Sequence, residues 1–358
     1  MDTSERRARD AAGQGGVMRV YHLVRPGALA LETMDVPRPG DGEMLARVAV
    51  ALTCTTDLKT YRRGHPRLRL PALLGHEWAG RVAAVGAGVR SFQPGERVVA
   101  TPTAPCGDCA YCLKGSENLC LHLFEHMALG AYGEYILVPR HIVNRNAFHI
   151  PDDVPDTHAA LLEPLACVVH GADLIELSGD RTVVFLGDGA MALLFAQVAR
   201  LRGADQVMVV GRHRSRLEVA RQVGVDVAID SNTTDAMKAV RALTDGLGAD
   251  TVVECVGHPE AWEDAVSLAR RGGEVLLFGG CEGGTTIRID TERLHYEEVN
   301  LKGGFHYTPD SVRRAWDLLC SGALNLDPLV DDRVPLDSLP AAFDRMRRRE
   351  ALKVAIVP

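Results

Sequence analysis

The sequence predicts an α/β protein in two parts, a β-rich, barrel-like region followed by a doubly wound parallel sheet. Three observations carry this. From Met18 to about Pro151 the chain is a series of short apolar runs broken by glycine and proline. From Leu165 to Phe305, strand-like runs alternate with amphipathic helical ones. Within that second stretch one strand runs straight into a glycine-rich turn and then a helix. The length of 358 residues agrees, since it exceeds what one hydrophobic core usually supports.

Each element has a local reason. EMLARVAVAL, GRVAAVGAGV, ERVVATP and GEYILVP have strand length and are bounded by turn formers. Further on, TVVFLG, QVMVVG, DVAID, ADTVVECVG and GEVLLFGG read as strands, with MALLFAQVARLRG and SRLEVARQVG as helices between them. Such alternation argues for a parallel sheet with helices on both faces. A last helix (PDSVRRAWDLLCSG) and strand (LKVAIVP) are expected to return to the first domain. The expected division is therefore a polar, disordered leader over 1–17 and a first domain over 18–164. The sheet domain follows over 165–308, and the return covers 309–358.

Composition removes several functional classes. A net charge of −7 opposes nucleic-acid binding, which needs a basic face. No window approaches the roughly 18 apolar residues of a membrane span. Residues 1–17 lack the apolar core of a secretory signal, so the nine cysteines point to a reduced, cytoplasmic setting.

Four of those cysteines, Cys106, Cys109, Cys112 and Cys120, follow C-x2-C-x2-C-x7-C within a lobe of about 100–122. That spacing brings four thiolates to one tetrahedral, closed, structural zinc. A DNA-binding zinc ribbon competes for the same pattern, and the negative charge weakens it.

TVVFLG leads into Gly187-Asp188-Gly189-Ala190-Met191-Ala192, a GxGxxA turn between strand and helix. Gly187 permits the tight turn, Gly189 lets backbone approach a pyrophosphate, and Ala192 keeps the helix near the strand. The next strand ends at Gly211, where NAD binders usually offer a ribose carboxylate, and Arg212 and His213 follow at once. Arginine suits a 2′-phosphate, so NADP is favoured over NAD.

Together these features resemble the zinc-containing medium-chain dehydrogenase/reductase family. GHEWAGRVAAVGAGV, from Gly75 to Val89, fits that family's GHE-x2-G-x5-G-x2-V signature. The resemblance implies a GroES-like catalytic domain beside a Rossmann domain, with two zinc ions. Cys54, in CTTD, and His76 would bind the catalytic zinc, and both are chemically apt ligands. Glu77 and Glu163, in LEPLAC, supply carboxylates, as in the polyol-dehydrogenase-like branch. Either Glu163 binds directly, or Glu77 binds and Glu163 sits one water away. Thr56 matches the hydroxyl relay position, and Lys59 falls where some members place a proton-passing histidine. The common G-[IV]-C-G-T-D becomes Leu52-Thr53-Cys54-Thr55-Thr56-Asp57 here. Bulkier Thr55 would narrow the space near phosphates or substrate.

The implied activity is hydride transfer between a small-molecule secondary alcohol (polyol, sugar or cyclitol type) and a nicotinamide. An NADPH-dependent reductase of a ketone, aldehyde or imine is the second reading. A non-catalytic zinc- or nucleotide-binding protein is the third, opposed by intact Cys54 and His76. By analogy a homodimer or homotetramer is expected, with GEVLLFGG as the sheet edge.

Overall fold

The computed structural model describes residues 16–65, 68–179 and 181–358. Residues 1–15 of the expected leader lie outside the described residues. Its last two belong to the fold, because Val17 pairs with Asp35 and the Gly16 carbonyl accepts from the Val36 N–H. The chain divides into two compact units, 1–164 with 308–321 and 330–358, and 165–307 with 322–329. Residues 322–329 thus depart from the expected C-terminal return. Their anchor is Asn325, whose N–H donates to Oε1 of Gln197 at 2.7 Å.

The first unit opens with β1 (Val17–Arg25), β2 (Ala28–Asp35), β3 (Met44–Leu52) and β4 (Ala72–Leu73). β5 (Glu77–Val85), β6 (Arg97–Ala100), β7 (Tyr135–Val138) and β8 (Ala147–His149) follow. The C-terminal strands β15 (Asp332–Pro335) and β16 (Val354–Val357) also belong to it. A three-stranded sheet has the order β2-β1-β4, and a seven-stranded one runs β15-β16-β3-β5-β6-β8, with β7 on β3. β3 is central, flanked by β5, β7 and β16. Its almost unbroken apolar sequence, MLARVAVAL, reflects burial along nearly its whole length, as strands covered on both faces require.

In the second unit β9 (Thr182–Leu186), β10 (Gln206–Gly211), β11 (Val227–Asp230), β12 (Ala249–Glu254), β13 (Ala269–Leu277) and β14 (Asn300–Gly303) form one sheet. Every pairing in it is parallel. The order β11-β10-β9-β12-β13-β14 is that of a Rossmann domain, with the strand order reversing beside β9. The helix Ala190–Leu201 is buried from Ala192 through Ala199, consistent with its lack of a polar face. The sheet edge is β14 and not GEVLLFGG, which lies in β13, one strand inside.

β5 can lie close to β3 because Gly80 has no side chain. A Cβ there would stand 2.1 Å from the Arg47 carbonyl oxygen. This explains the signature's internal glycine in steric terms: it lets His76 and Glu77 lie beside the strand that ends just before Cys54. Gly80→Ala should therefore destabilise the first unit by about 1–3 kcal/mol or more, read as a lower urea midpoint. An unchanged midpoint would contradict the close strand approach.

Candidate metal centre and nucleotide turn

Cys54 sits between β3 and the helix Thr55–Arg63. Its sulfur caps that helix by accepting the Thr56 N–H at 3.3 Å, which places it at the positive helix end. Leu52 pairs with Glu77 across the β3–β5 ladder, so the ligand loop and the start of β5 are neighbours. As a result the ligand atoms of Cys54, His76 and Glu77 all lie within 4.8 Å of one another. His76 and Glu77 are buried and Cys54 is half-buried.

Three further residues hold this cluster. Asp57 Oδ1 lies 3.2 Å from His76 Nδ1, and the Tyr132 hydroxyl donates to Asp57 Oδ2 at 2.8 Å. With Nδ1 engaged by a carboxylate, the other ring nitrogen is left for the cluster, the usual arrangement behind a metal-binding histidine. Lys353 Nζ donates to Glu77 Oε2, both side chains being almost wholly buried. Lys353 Nζ also reaches the Thr53 carbonyl at 3.4 Å, and the Val354 N–H donates to Thr53 Oγ1 at 2.9 Å. Thr53 thus ties β16 to the ligand loop.

The electrostatics fit a cation. Burial opposes a charged His76, but Asp57 and then Cys54 more than offset it and hold its pKa well above the usual histidine value. Burial likewise opposes the Lys353 ammonium, and Glu77, Cys54 and Glu163 overcome it and raise its pKa. Asp57, Glu77 and an ionisable thiol therefore face one fixed cation, Lys353. Without a metal, a proton on His76 fills part of the deficit, and a divalent cation would displace it.

The other expected residues are placed as follows. Glu163 lies in the first turn of the helix Leu162–Asp173, half-buried, and its charge reaches Lys353. Thr56 is exposed in the first turn of the Cys54-capped helix, and Lys59 is half-buried further along it. Thr55 is exposed, whereas Leu52 is fully buried in the sheet. Sequence reasoning missed Asp57, Tyr132 and Lys353. Asp57 was at hand in CTTD. No local signal marks the other two.

In the lobe, sulfur pairs among Cys106, Cys109, Cys112 and Cys120 are 3.5–3.9 Å apart. A tetrahedron with Zn–S bonds of ~2.3 Å has edges of ~3.8 Å, so the donors fit one zinc. Backbone N–H donors from Cys112 and Leu121 lower the Cys109 thiol to about 6. Desolvation and the neighbouring sulfurs push Cys112 up to about 12. A bound cation would favour the thiolate form of the cluster.

At the nucleotide turn Gly187 has φ +124°, and a Cβ there would meet Val256 and Cys255. Gly189 caps the helix without a side chain, and space beside it is open. Ala192 is fully buried. These features suit close approach by a pyrophosphate. After β10, the N–H groups of Arg212 and His213 both donate to Asp188 Oδ2 at 2.8 Å. Burial works against the Asp188 carboxylate, but these two donors and His213 outweigh it and lower its pKa.

This pairing of sheets and clusters defines the class, and comparison with known proteins agrees. Residues 190–321 match the zinc-binding dehydrogenase family and residues 40–152 the alcohol dehydrogenase GroES-like domain. The chain belongs to the zinc-binding medium-chain dehydrogenase/reductase family and is a zinc-dependent, NAD(P)-linked oxidoreductase. A sorbitol dehydrogenase of Halalkalibacterium halodurans is 32% identical over 339 residues, 93% of this chain and 96% of its own length. An L-threonine 3-dehydrogenase of Bacillus subtilis is 30% identical over 356 residues, 96% of this chain and 100% of its own. Among solved structures, a protein of Sinorhizobium meliloti 1021 described as a zinc-binding dehydrogenase and bound to NADP superposes with TM-score 0.88. It is 32% identical and covers 96% of this chain and 100% of its own. No helix among the described residues is long and apolar enough to cross a membrane.

Asp57→Asn should weaken metal binding at the Cys54–His76–Glu77 cluster by about 10–100-fold, since an amide no longer fixes the imidazole tautomer. Competition with a chromophoric chelator measures this. Unchanged affinity would mean that Asp57 does not orient His76.

Proposed function

We propose that the chain oxidises a secondary alcohol of polyol type to a ketone, passing hydride to the nicotinamide of a bound dinucleotide and releasing one proton. The supporting observation is the Cys54–His76–Glu77 cluster, backed by Asp57 and Lys353. The substrate class draws on relatives named for sorbitol and for C3 of threonine, both of which carry a secondary hydroxyl. Zinc, when bound, acts as a Lewis acid that lowers the pKa of the substrate hydroxyl.

The protein's own residues do the rest. Cys54, His76 and Glu77 would hold the metal, while Lys353 holds one Glu77 oxygen. Glu163 serves as the further carboxylate of the site. Asp57 holds Nδ1 of His76, and Tyr132 holds Asp57. Thr56 Oγ1 would accept the hydroxyl proton while passing its own to the water that Lys59 orients, which carries it to solvent. Cys106, Cys109, Cys112 and Cys120 would hold the second zinc. Gly187, Gly189 and Ala192 receive the pyrophosphate, and the segment Gly211–His213 lies where the adenosine ribose is read. A homodimer or homotetramer belongs to the same reading, joined through β14.

Purified protein should carry two zinc ions per chain, one for each cluster. Cys54→Ser should lose one ion and nearly all turnover. Cys112→Ser should lose the other together with stability. Elemental analysis with an assay of nicotinamide reduction across polyols, cyclitols and amino alcohols checks this. Two zinc ions with no oxidation of any secondary alcohol would overturn the substrate class. Zinc in the lobe alone would overturn the catalytic centre.

A further inference from the structure

The expectation of NADP rests on Gly211, which leaves the end of β10 without a carboxylate. The fold supplies one from elsewhere. Asp188, between the two glycines of the turn, places its carboxylate against Gly211. A Cβ on residue 211 would lie 2.5 Å from Asp188 Cβ and 2.7 Å from its Oδ2. The missing side chain of Gly211 and the carboxylate of Asp188 therefore compete for one space. An acidic group stands there, delivered by the glycine-rich turn instead of by the strand.

Its partners show what it excludes. Two consecutive backbone N–H groups, those of Arg212 and His213, converge on Oδ2 at 2.8 Å each. Such paired donors are what an anion seeks in a backbone nest. The His213 ring nitrogen Nδ1 also lies 2.9 Å from Oδ2. The buried Arg216 guanidinium stands 3.7 Å from Oδ1. The cationic loop that looked ready for a phosphate has turned its backbone donors, His213 and Arg216 to an internal carboxylate, while the Arg212 and Arg214 side chains stand exposed outside that set. A 2′-phosphate would meet a like charge there, whereas a 2′-hydroxyl is a donor that a carboxylate can accept.

We propose that Asp188 is the ribose-reading, specificity-determining residue of this chain, and that it selects a dinucleotide with a free 2′-hydroxyl over a 2′-phosphorylated one. This rests on the reading of the second unit as the dinucleotide domain. It reverses the preference expected from Gly211 and Arg212.

The test is calorimetric titration with ADP-ribose and with 2′-phospho-ADP-ribose, which bind without any chemistry. The wild-type chain should prefer ADP-ribose by about tenfold or more, and Asp188→Asn should erase most of that preference. A second variant guards against simple misfolding. Asp188→Gly combined with Gly211→Asp moves the carboxylate to the strand and removes the side chain that crowds residue 211, so it should restore the preference. Tighter binding of the 2′-phosphorylated ligand by the wild-type chain would overturn the inference and leave the dehydrogenase reading intact. So would equal weakening of both ligands by Asp188→Asn. Binding of neither ligand would overturn the inference and the nucleotide reading of this unit with it.

Discussion

The buried ion pair between Glu77 and Lys353 is the constraint around which the candidate centre is arranged. Glu77 begins β5, and Lys353 immediately precedes β16, 276 residues later. The pair fastens the returning end of the chain beside the ligand loop, with Thr53 adding backbone and hydroxyl bonds to Val354. A buried ion pair is a poor way to gain stability, because desolvation of both charges offsets most of their attraction. Its value here is chemical. Lys353 holds the Glu77 carboxylate in a closed site, next to a thiol and an imidazole.

The two cysteine-containing clusters solve different problems with related donors. The lobe uses four sulfurs at tetrahedral spacing, leaving no place for anything but the metal. The Cys54 centre uses three unlike groups, each held from behind: the sulfur by a helix end, the imidazole by Asp57, the carboxylate by Lys353. Three protein ligands on a tetrahedral metal would leave its fourth position for a substrate oxygen. The mixture also leaves the local charge negative, which the raised pKa of His76 reflects.

Much of this is legible in the sequence alone. The strands EMLARVAVAL and TVVFLG, the four-cysteine spacing and the glycine turn all rest on local pattern, and local pattern survives folding. Cys54 stands out in CTTD, and His76 and Glu77 in a motif whose glycine, Gly80, has a steric reason. Lys353 and Tyr132 could not be found that way, because each meets the site through tertiary pairing and neither sits in a metal-ligand spacing. The place of Asp188 could not be read locally for a related reason. The end of β10 carries no carboxylate of its own, and the Asp188 carboxylate reaches Gly211 from the glycine-rich turn through tertiary contact. The sheet edge was missed because NLKG, in β14, is too short and polar to stand out as a strand.

The central claim is that Glu77 is shared between Lys353 and a metal ion. It is tested most directly by measuring the folding stability of Lys353→Met with zinc removed from the Cys54 centre and with zinc restored. Without metal the substitution strands a buried carboxylate, at a cost of about 3–5 kcal/mol. With zinc bound the cation compensates that carboxylate, so the cost should shrink markedly, and Glu77→Gln in the same chain should abolish the difference. A cost of the same size with and without zinc would mean that Glu77 answers to Lys353 alone, and the proposed centre would lose its third ligand.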